Sequence, residues 1–144
     1  LFRSIMIRPR HTLELYSQRE KDFQTQPLPS NELVKMLFDT ALESLLILPV
    51  LVERQDQVNK VREINRVMCI IYDLREMIDF ERGGEFALSL SKLYSGMNQN
   101  LLEASKANSK NQLANIQHVA NILQQIKNTW DKAPDISVKN QWLH

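Results

Sequence analysis

The sequence contains few of the residues that interrupt or cross-link a chain. Its 144 residues include one cysteine, three glycines and five prolines, and four of the prolines lie near the ends. The single cysteine, Cys69, excludes a disulfide within the chain and is typical of a reducing compartment. Between residues 30 and 131 only Pro49 interrupts a stretch rich in helix-favouring residues. We therefore predict that this stretch is helical throughout.

The sequence has neither an excess of one charge nor a long apolar run. Its 18 basic and 17 acidic residues give no electrostatic reason to expect binding to nucleic acid or to an anionic membrane. The longest apolar run, residues 45–52, is far shorter than the roughly 20 residues that cross a bilayer. The apolar centre of the N-terminal segment is also too short for a secretory signal. We therefore expect a cytoplasmic protein without membrane insertion.

Apolar residues recur at helical spacing in four successive segments. The first begins near Ser30, the second covers residues 57–78, the third follows the glycines of "DFERGGEF", and the fourth follows "ANSKNQ". Because short connections force neighbouring helices to run antiparallel, we predict an all-α, up-down-up-down four-helix bundle over residues 30–131. Residues 1–29 are expected to precede it as an arm or short helix, and residues 132–144 to follow as a tail.

The first predicted helix carries more apolar residues than one core-facing stripe needs. Val34, Phe38, Leu42 and Leu46 lie beside or opposite its core row, as do several residues around Pro49. A helix that is apolar nearly all round must be covered on its second side. The cover is either the N-terminal arm or a partner, and both fit if the arm is a lid that the partner displaces.

The adjacent glycines, Gly83 and Gly84, are the first place to look for chemistry. A phosphate-binding loop needs glycines at set intervals and usually a lysine between a strand and a helix, and "DFERGGEF" has neither. Its carboxylates would also repel phosphate. We therefore interpret both glycines as structural residues of a tight turn between two helices.

No other residues form a recognisable catalytic or metal-binding pattern. The three histidines are scattered, and no Glu-x-x-His motif of a carboxylate-bridged metal site occurs. The single cysteine and His118 are not expected to meet as a nucleophile pair. We predict no catalytic residues, no metal and no cofactor, so the protein is not expected to be an enzyme.

Several segments of the sequence match the pattern of a known family. They are "NELVKMLFDTAL" (residues 31–42), "DFERGGEFALSLSKLYSGMNQNLLEA" (residues 79–104) and "LLEASKANSK" before a helix that ends at Trp130. Together they resemble the FliS family of cytoplasmic flagellin export chaperones, and the glycine turn with Tyr94 and Met97 is the most specific part. The sequence departs from the family pattern at Phe38 and Thr40, where tyrosine and glycine are usual.

The resemblance implies a function and two partners. Chaperones of this family bind the disordered C-terminal segment of flagellin, prevent its premature polymerisation and deliver it to a component of the flagellar type III export gate. Recognition of a helix in an apolar groove agrees with the surplus apolar face of the first helix.

The predicted groove consists of outward apolar residues on the first two long helices. The predicted partner-binding residues are Val34, Phe38, Leu42, Leu46, Val67 and Ile71. Tyr16, in the arm, is predicted to contact the lid site or the export gate, whereas Tyr94 and Met97 are predicted to belong to the core. A Phe38→Asp change is predicted to abolish binding without loss of helix.

Two other functions remain open at this point. The first is a structural or regulatory helical bundle that self-associates through the same apolar face, for example as a homodimer with swapped arms. The second is a metal-dependent bundle enzyme.

Overall fold

The computed structural model describes residues 30–132, and every regular element in that range is an α-helix. Helix α1 spans Ser30–Glu53, α2 spans Gln57–Glu76, α3 spans Phe80–Ser105 and α4 spans Gln112–Lys132. The prediction of an all-α fold with four long helices is confirmed. The predicted arm, including Tyr16, and residues 133–144 of the predicted tail lie outside the described residues.

Helix α1 ends in a tight motif that leads directly into α2. Gln55 has a left-handed backbone with φ of 55°. Its N–H donates to the Val52 carbonyl at 3.1 Å, and the Asp56 N–H donates to the Leu51 carbonyl at 3.0 Å. This pair of bonds is a Schellman motif, which satisfies the last carbonyls of a helix. The Asp56 carboxylate then accepts the backbone N–H of Asn59 at 3.2 Å and so caps the start of α2.

Each helix packs mainly against two of the other three. Helix α1 packs against α2 and α4, and α3 packs against the same two helices, so α1 and α3 occupy opposite corners. The start of α2 meets the end of α3 where Gln57 Nε2 donates to the Ser105 carbonyl at 2.9 Å. The end of α2 meets α3 where Arg75 Nε donates to Ser91 Oγ at 2.9 Å. Helices α2 and α3 therefore run in opposite directions.

The buried arc of α1 is wider than the sequence pattern indicated. Val34 and Phe38 are buried, with Phe38 only 1% exposed, and Val67 and Ile71 of α2 are fully buried. The predicted outward orientation is therefore wrong for these four residues. Because each helix lies between two neighbours, two adjacent rows of positions are covered rather than one stripe. Their burial shows only which way these side chains face. Any role of these residues in partner binding stays a prediction.

A short capped helical turn precedes the glycines, and the long part of α3 follows the break at Gly84, as predicted. The Asp79 carboxylate accepts the backbone N–H groups of Glu81 and Arg82 at 3.1 and 3.2 Å, and the Gly83 N–H donates to the Asp79 carbonyl at 2.9 Å. This capped turn starts the helix at Phe80. Gly84 then interrupts the helix with φ of 55° and ψ of −129°, a conformation that favours glycine.

Candidate protein-binding surface

A row of exposed apolar side chains lies on the second half of α1. Leu46 is 78% exposed, Ile47 is 48% exposed and Val50 is 44% exposed, while Leu42 is half-buried beside them. We refer to these four residues as the α1 surface. Residues 44–52 contain no charged side chain, so no ionic group lies within this stretch of the helix. Contiguous exposed apolar residues of this kind mark sites where a protein contacts another molecule.

The geometry of a helix aligns the members of the α1 surface. Leu42, Leu46 and Val50 are spaced four residues apart and form one row along the helix, and Ile47 lies three residues from Val50. Pro49 lies inside the helix, which continues through it to Glu53. An apolar row of this length matches the contact that one face of a partner helix would make.

An ion-pair cluster lies one turn before the α1 surface. Lys127 Nζ of α4 lies 3.1 Å from Asp39 Oδ1 of α1 and 3.7 Å from Asp131 Oδ2. The hydrogen bond to Asp39 is the main cause of a raised pKa for Lys127. This cluster links α1 to α4 and gives the apolar row a charged boundary.

Lys60 joins three helices at the end of the bundle where α1 terminates. The side chain is 3% exposed, and its Nζ donates to the Lys106 carbonyl at 3.1 Å and to Gln112 Oε1 at 2.8 Å. Burial lowers the pKa of Lys60. The Lys106 carbonyl lies at the negative end of the α3 dipole and stabilises the Lys60 ammonium group. Through its two hydrogen bonds Lys60 connects the start of α2 to the end of α3 and to the start of α4.

The described residues contain no assembled metal site. No group of three or more His, Cys, Asp or Glu side chains within residues 30–132 is arranged to hold a metal ion. The Cys69 side chain reaches solvent. Its thiol is nevertheless partly desolvated by neighbouring groups, and this desolvation, together with the charge of the nearby Asp73, raises the pKa of the thiol. At neutral pH this thiol is protonated and is not an activated nucleophile. Over the same residues, no helix combines the length and apolar character that a membrane span requires.

The structure separates the predicted site residues into three groups. Leu42 and Leu46 lie on the α1 surface, whereas the other four predicted groove residues belong to the core. Tyr94 and Met97 are buried in the core, as predicted. Gly83 and Gly84 lie in the first turns of α3, and Tyr16 lies outside the described residues.

Ile47 and Val50 are among the apolar residues around Pro49 that exceed the core row of the first helix, and both belong to the α1 surface. Lys60 is a prominent residue that the sequence pattern did not indicate. A lysine on a helix usually faces solvent, and only the packing of the helices around Lys60 brings about its burial.

The described residues thus form a helical bundle with a row of exposed apolar side chains on α1. Comparison with known proteins makes the assignment more specific. The family model described as flagellar protein FliS matches residues 12–137. The chain belongs to this family.

Characterised relatives cover most of the chain. It is 28% identical to the flagellar secretion chaperone FliS of Vibrio cholerae over 125 residues, which are 87% of this chain and 90% of the relative. It is 32% identical to the flagellar secretion chaperone FliSB of Pseudomonas aeruginosa over 119 residues, 83% of this chain and 92% of that protein. It is 31% identical to the flagellar secretion chaperone FliS of Salmonella typhimurium over 119 residues, 82% of this chain and 86% of that protein.

Proposed function

We propose that this protein is a cytoplasmic export chaperone that binds the C-terminal segment of flagellin. In this role it prevents premature polymerisation of flagellin and delivers it to the flagellar type III export apparatus. Membership of the FliS family supports the role of an export chaperone. The observation that carries the proposal is the α1 surface, where Leu46, Ile47 and Val50 are exposed along a helix with no charged residue between positions 44 and 52.

The α1 surface suits a flexible segment that folds as it binds. A segment that forms a helix on contact places apolar residues at three- and four-residue spacing against the row of Leu42, Leu46 and Val50. Ordering such a segment costs about 2–5 kcal/mol of the gross interaction energy. Apolar burial therefore holds the segment, and the ordering cost keeps the complex releasable at export.

The remaining parts of the chain have roles in the same proposal. The four helices have up-down-up-down order, and residues 1–29 form a lid over the α1 surface that flagellin displaces. Tyr16 contacts the lid site or the export gate. Val34, Phe38, Val67 and Ile71 act from within the core by holding α1 in position for the partner.

Calorimetry with a synthetic peptide of the flagellin C-terminal segment tests the proposal. The full chain is expected to bind with a negative heat-capacity change, because apolar surface is buried. Burying one leucine contributes about 1.5–3 kcal/mol, so Leu46→Ser should weaken the affinity about tenfold or more. The matched control is Leu88→Ser, because Leu88 is 50% exposed and lies on α3, at the opposite corner from α1.

Two results would contradict the proposal in different ways. Absence of heat at micromolar concentrations would remove flagellin as the partner. Equal weakening by Leu46→Ser and Leu88→Ser would remove the α1 surface as the docking site. Sedimentation of the chain alone completes the test, since a dimer that Leu46→Ser dissociates would favour the self-associating adaptor.

A further inference from the structure

A second apolar groove lies between α3 and α4. Its floor and walls include Leu93, Gly96, Met97 and Ile122, and its volume is about 410 Å³. Met97 is buried beneath it, whereas Leu93 is 45% exposed at its edge. This volume falls within the range of sites that hold a ligand or the side chains of a peptide.

Gly96 is one of the residues that line this groove. It lies in the interior of α3, where glycine is about 1 kcal/mol less favourable than alanine. A Cβ atom at this position would meet no atom within 4 Å, so packing inside the bundle does not require a glycine. The absence of a side chain instead leaves the floor of the groove open, and this allows the backbone of another helix to approach closely.

The charges around the groove indicate the chemistry of its occupant. Its rim contains Lys92 and His118 together with neutral polar residues, and no carboxylate lines it. The adjoining part of α4, residues 112–126, contains no lysine, arginine, aspartate or glutamate. A partner helix with an apolar ridge and carboxylates along its edges would meet Lys92 without meeting a like charge.

We propose that the α3–α4 groove is a second docking site, whose occupant is an acidic amphipathic helix of a partner protein. The groove is lined by α3 and α4, and α3 packs against α2 and α4 rather than α1, so the groove is separate from the α1 surface. The protein can then hold two polypeptide partners at once. The inference does not depend on the identity of the partner at the α1 surface.

Two designed peptides of about 18 residues, roughly five helical turns, test the inference. Both carry the same leucine ridge, and the edges carry glutamate in one and lysine in the other. Nuclear magnetic resonance of the full chain reports binding through the amide signal of Gly96, which is one of only three glycines. The glutamate peptide should shift the Gly96 and Ile122 signals, with an affinity at least about tenfold higher than that of the lysine peptide.

Variants at Gly96 provide the matched controls. Gly96→Leu fills the groove and should abolish the shift at Ile122, whereas Gly96→Ala should keep the fold and reduce the affinity less. Equal binding of both peptides, or shifts at Leu46 instead of Ile122, would overturn the inference. Dimerisation of the unmodified chain would also overturn the inference if Gly96→Leu abolishes the dimer. The occupant of the groove would then be a second copy of the chain. If Gly96→Leu fails to fold, the shifts of the unmodified chain decide the question.

Discussion

At the residue scale, Gly84 and Gly96 lie in the same helix and have different structural roles. Gly84 has a positive φ that an L-residue with a side chain adopts only under strain, although a Cβ there would meet no neighbouring atom. A Cβ at Gly96 would meet no neighbouring atom either, and the φ of Gly96 is not positive. The two positions therefore separate the effect of backbone conformation from the effect of packing.

Alanine substitution at these glycines should change stability in opposite directions. Gly84→Ala should lower the free energy of unfolding by about 1–3 kcal/mol, because the backbone is held in a conformation that disfavours a side chain. Gly96→Ala should raise it by up to about 1 kcal/mol, because alanine is the better helix former. Urea unfolding monitored by circular dichroism measures both. A loss of stability at both positions would show that the open space at Gly96 is absent in solution.

Phe38 and Leu46 should also respond differently to the same substitution. Phe38 is 1% exposed and Leu46 is 78% exposed, although both are apolar residues of α1. Phe38→Asp buries a carboxylate in the apolar core and should cost at least about 3 kcal/mol, which is enough to unfold a marginal domain. Leu46→Asp should leave the helical signal unchanged, and circular dichroism compares the two. An intact Phe38→Asp bundle would restore the prediction of an outward Phe38.

The sequence could not show which apolar side chains of α1 face the core and which face solvent. Helical spacing shows that Val34 and Phe38 share a face with each other, and it does not show whether that face meets solvent or a second neighbouring helix. Packing α1 between α2 and α4 decides this in favour of burial. Leu46 could be placed correctly because it lies on the side of α1 that neither neighbour covers.

At the element scale, the loop between α1 and α2 and the loop between α3 and α4 lie at the same end of the bundle. Each contains a residue with a left-handed backbone. Gln55 has φ of 55° after α1, and Asn108 has φ of 58° after α3. Glutamine is sterically disfavoured in this conformation, whereas asparagine tolerates it better. The Schellman motif at Gln55 therefore forms despite a residue type that does not favour it.

Glycine at these two positions should improve stability unequally. Gln55→Gly should raise the free energy of unfolding by up to about 1 kcal/mol, because relief of the left-handed strain exceeds the added flexibility of the unfolded chain. Asn108→Gly is the matched control and should have the smaller effect. Urea midpoints of the two variants test this, and a Gln55→Gly variant less stable than the parent would show that this end of α1 is not in the Schellman geometry.

The four long helices were predictable from the sequence, but the short helical turn before the glycines of α3 was not. Long segments with apolar residues at helical spacing and without proline leave little choice of element, so four helices followed from the sequence. The pair of glycines suggested a complete break, and the spacing of apolar residues gave no sign that the Asp79 carboxylate caps a helical turn before them. Local hydrogen bonds to the Asp79 carboxylate thus add one helical turn before the break at Gly84.

At the scale of the whole molecule, the connections explain why the docking surface remains exposed. Lys60 ties α2, α3 and α4 together through the Lys106 carbonyl and Gln112, and the Asp39–Lys127 ion pair ties α4 to α1. These contacts join the inner faces of the helices, and among the described residues the outer row of α1 stays exposed. The surplus of apolar residues on α1 was visible in the sequence, whereas its division into a buried and an exposed half depended on the packing of all four helices.

The two apolar features of the bundle suggest a protein with two separate contacts. The α1 surface lies at one corner, and the groove at Gly96 lies between α3 and α4. Sequence spacing identified the first in part, through Leu42 and Leu46. It did not identify the second, because a groove between two helices depends on which residues face each other across them.

Methyl resonances of leucine, isoleucine and valine in the full chain provide the most direct test of the α1 surface. On addition of the flagellin C-terminal segment, the methyl signals of Leu46, Ile47 and Val50 should shift and stop changing at a one-to-one ratio. If these signals stay in place while methyl groups elsewhere in the bundle shift, or if no signal shifts, flagellin does not dock on α1 and the proposed binding mode is wrong.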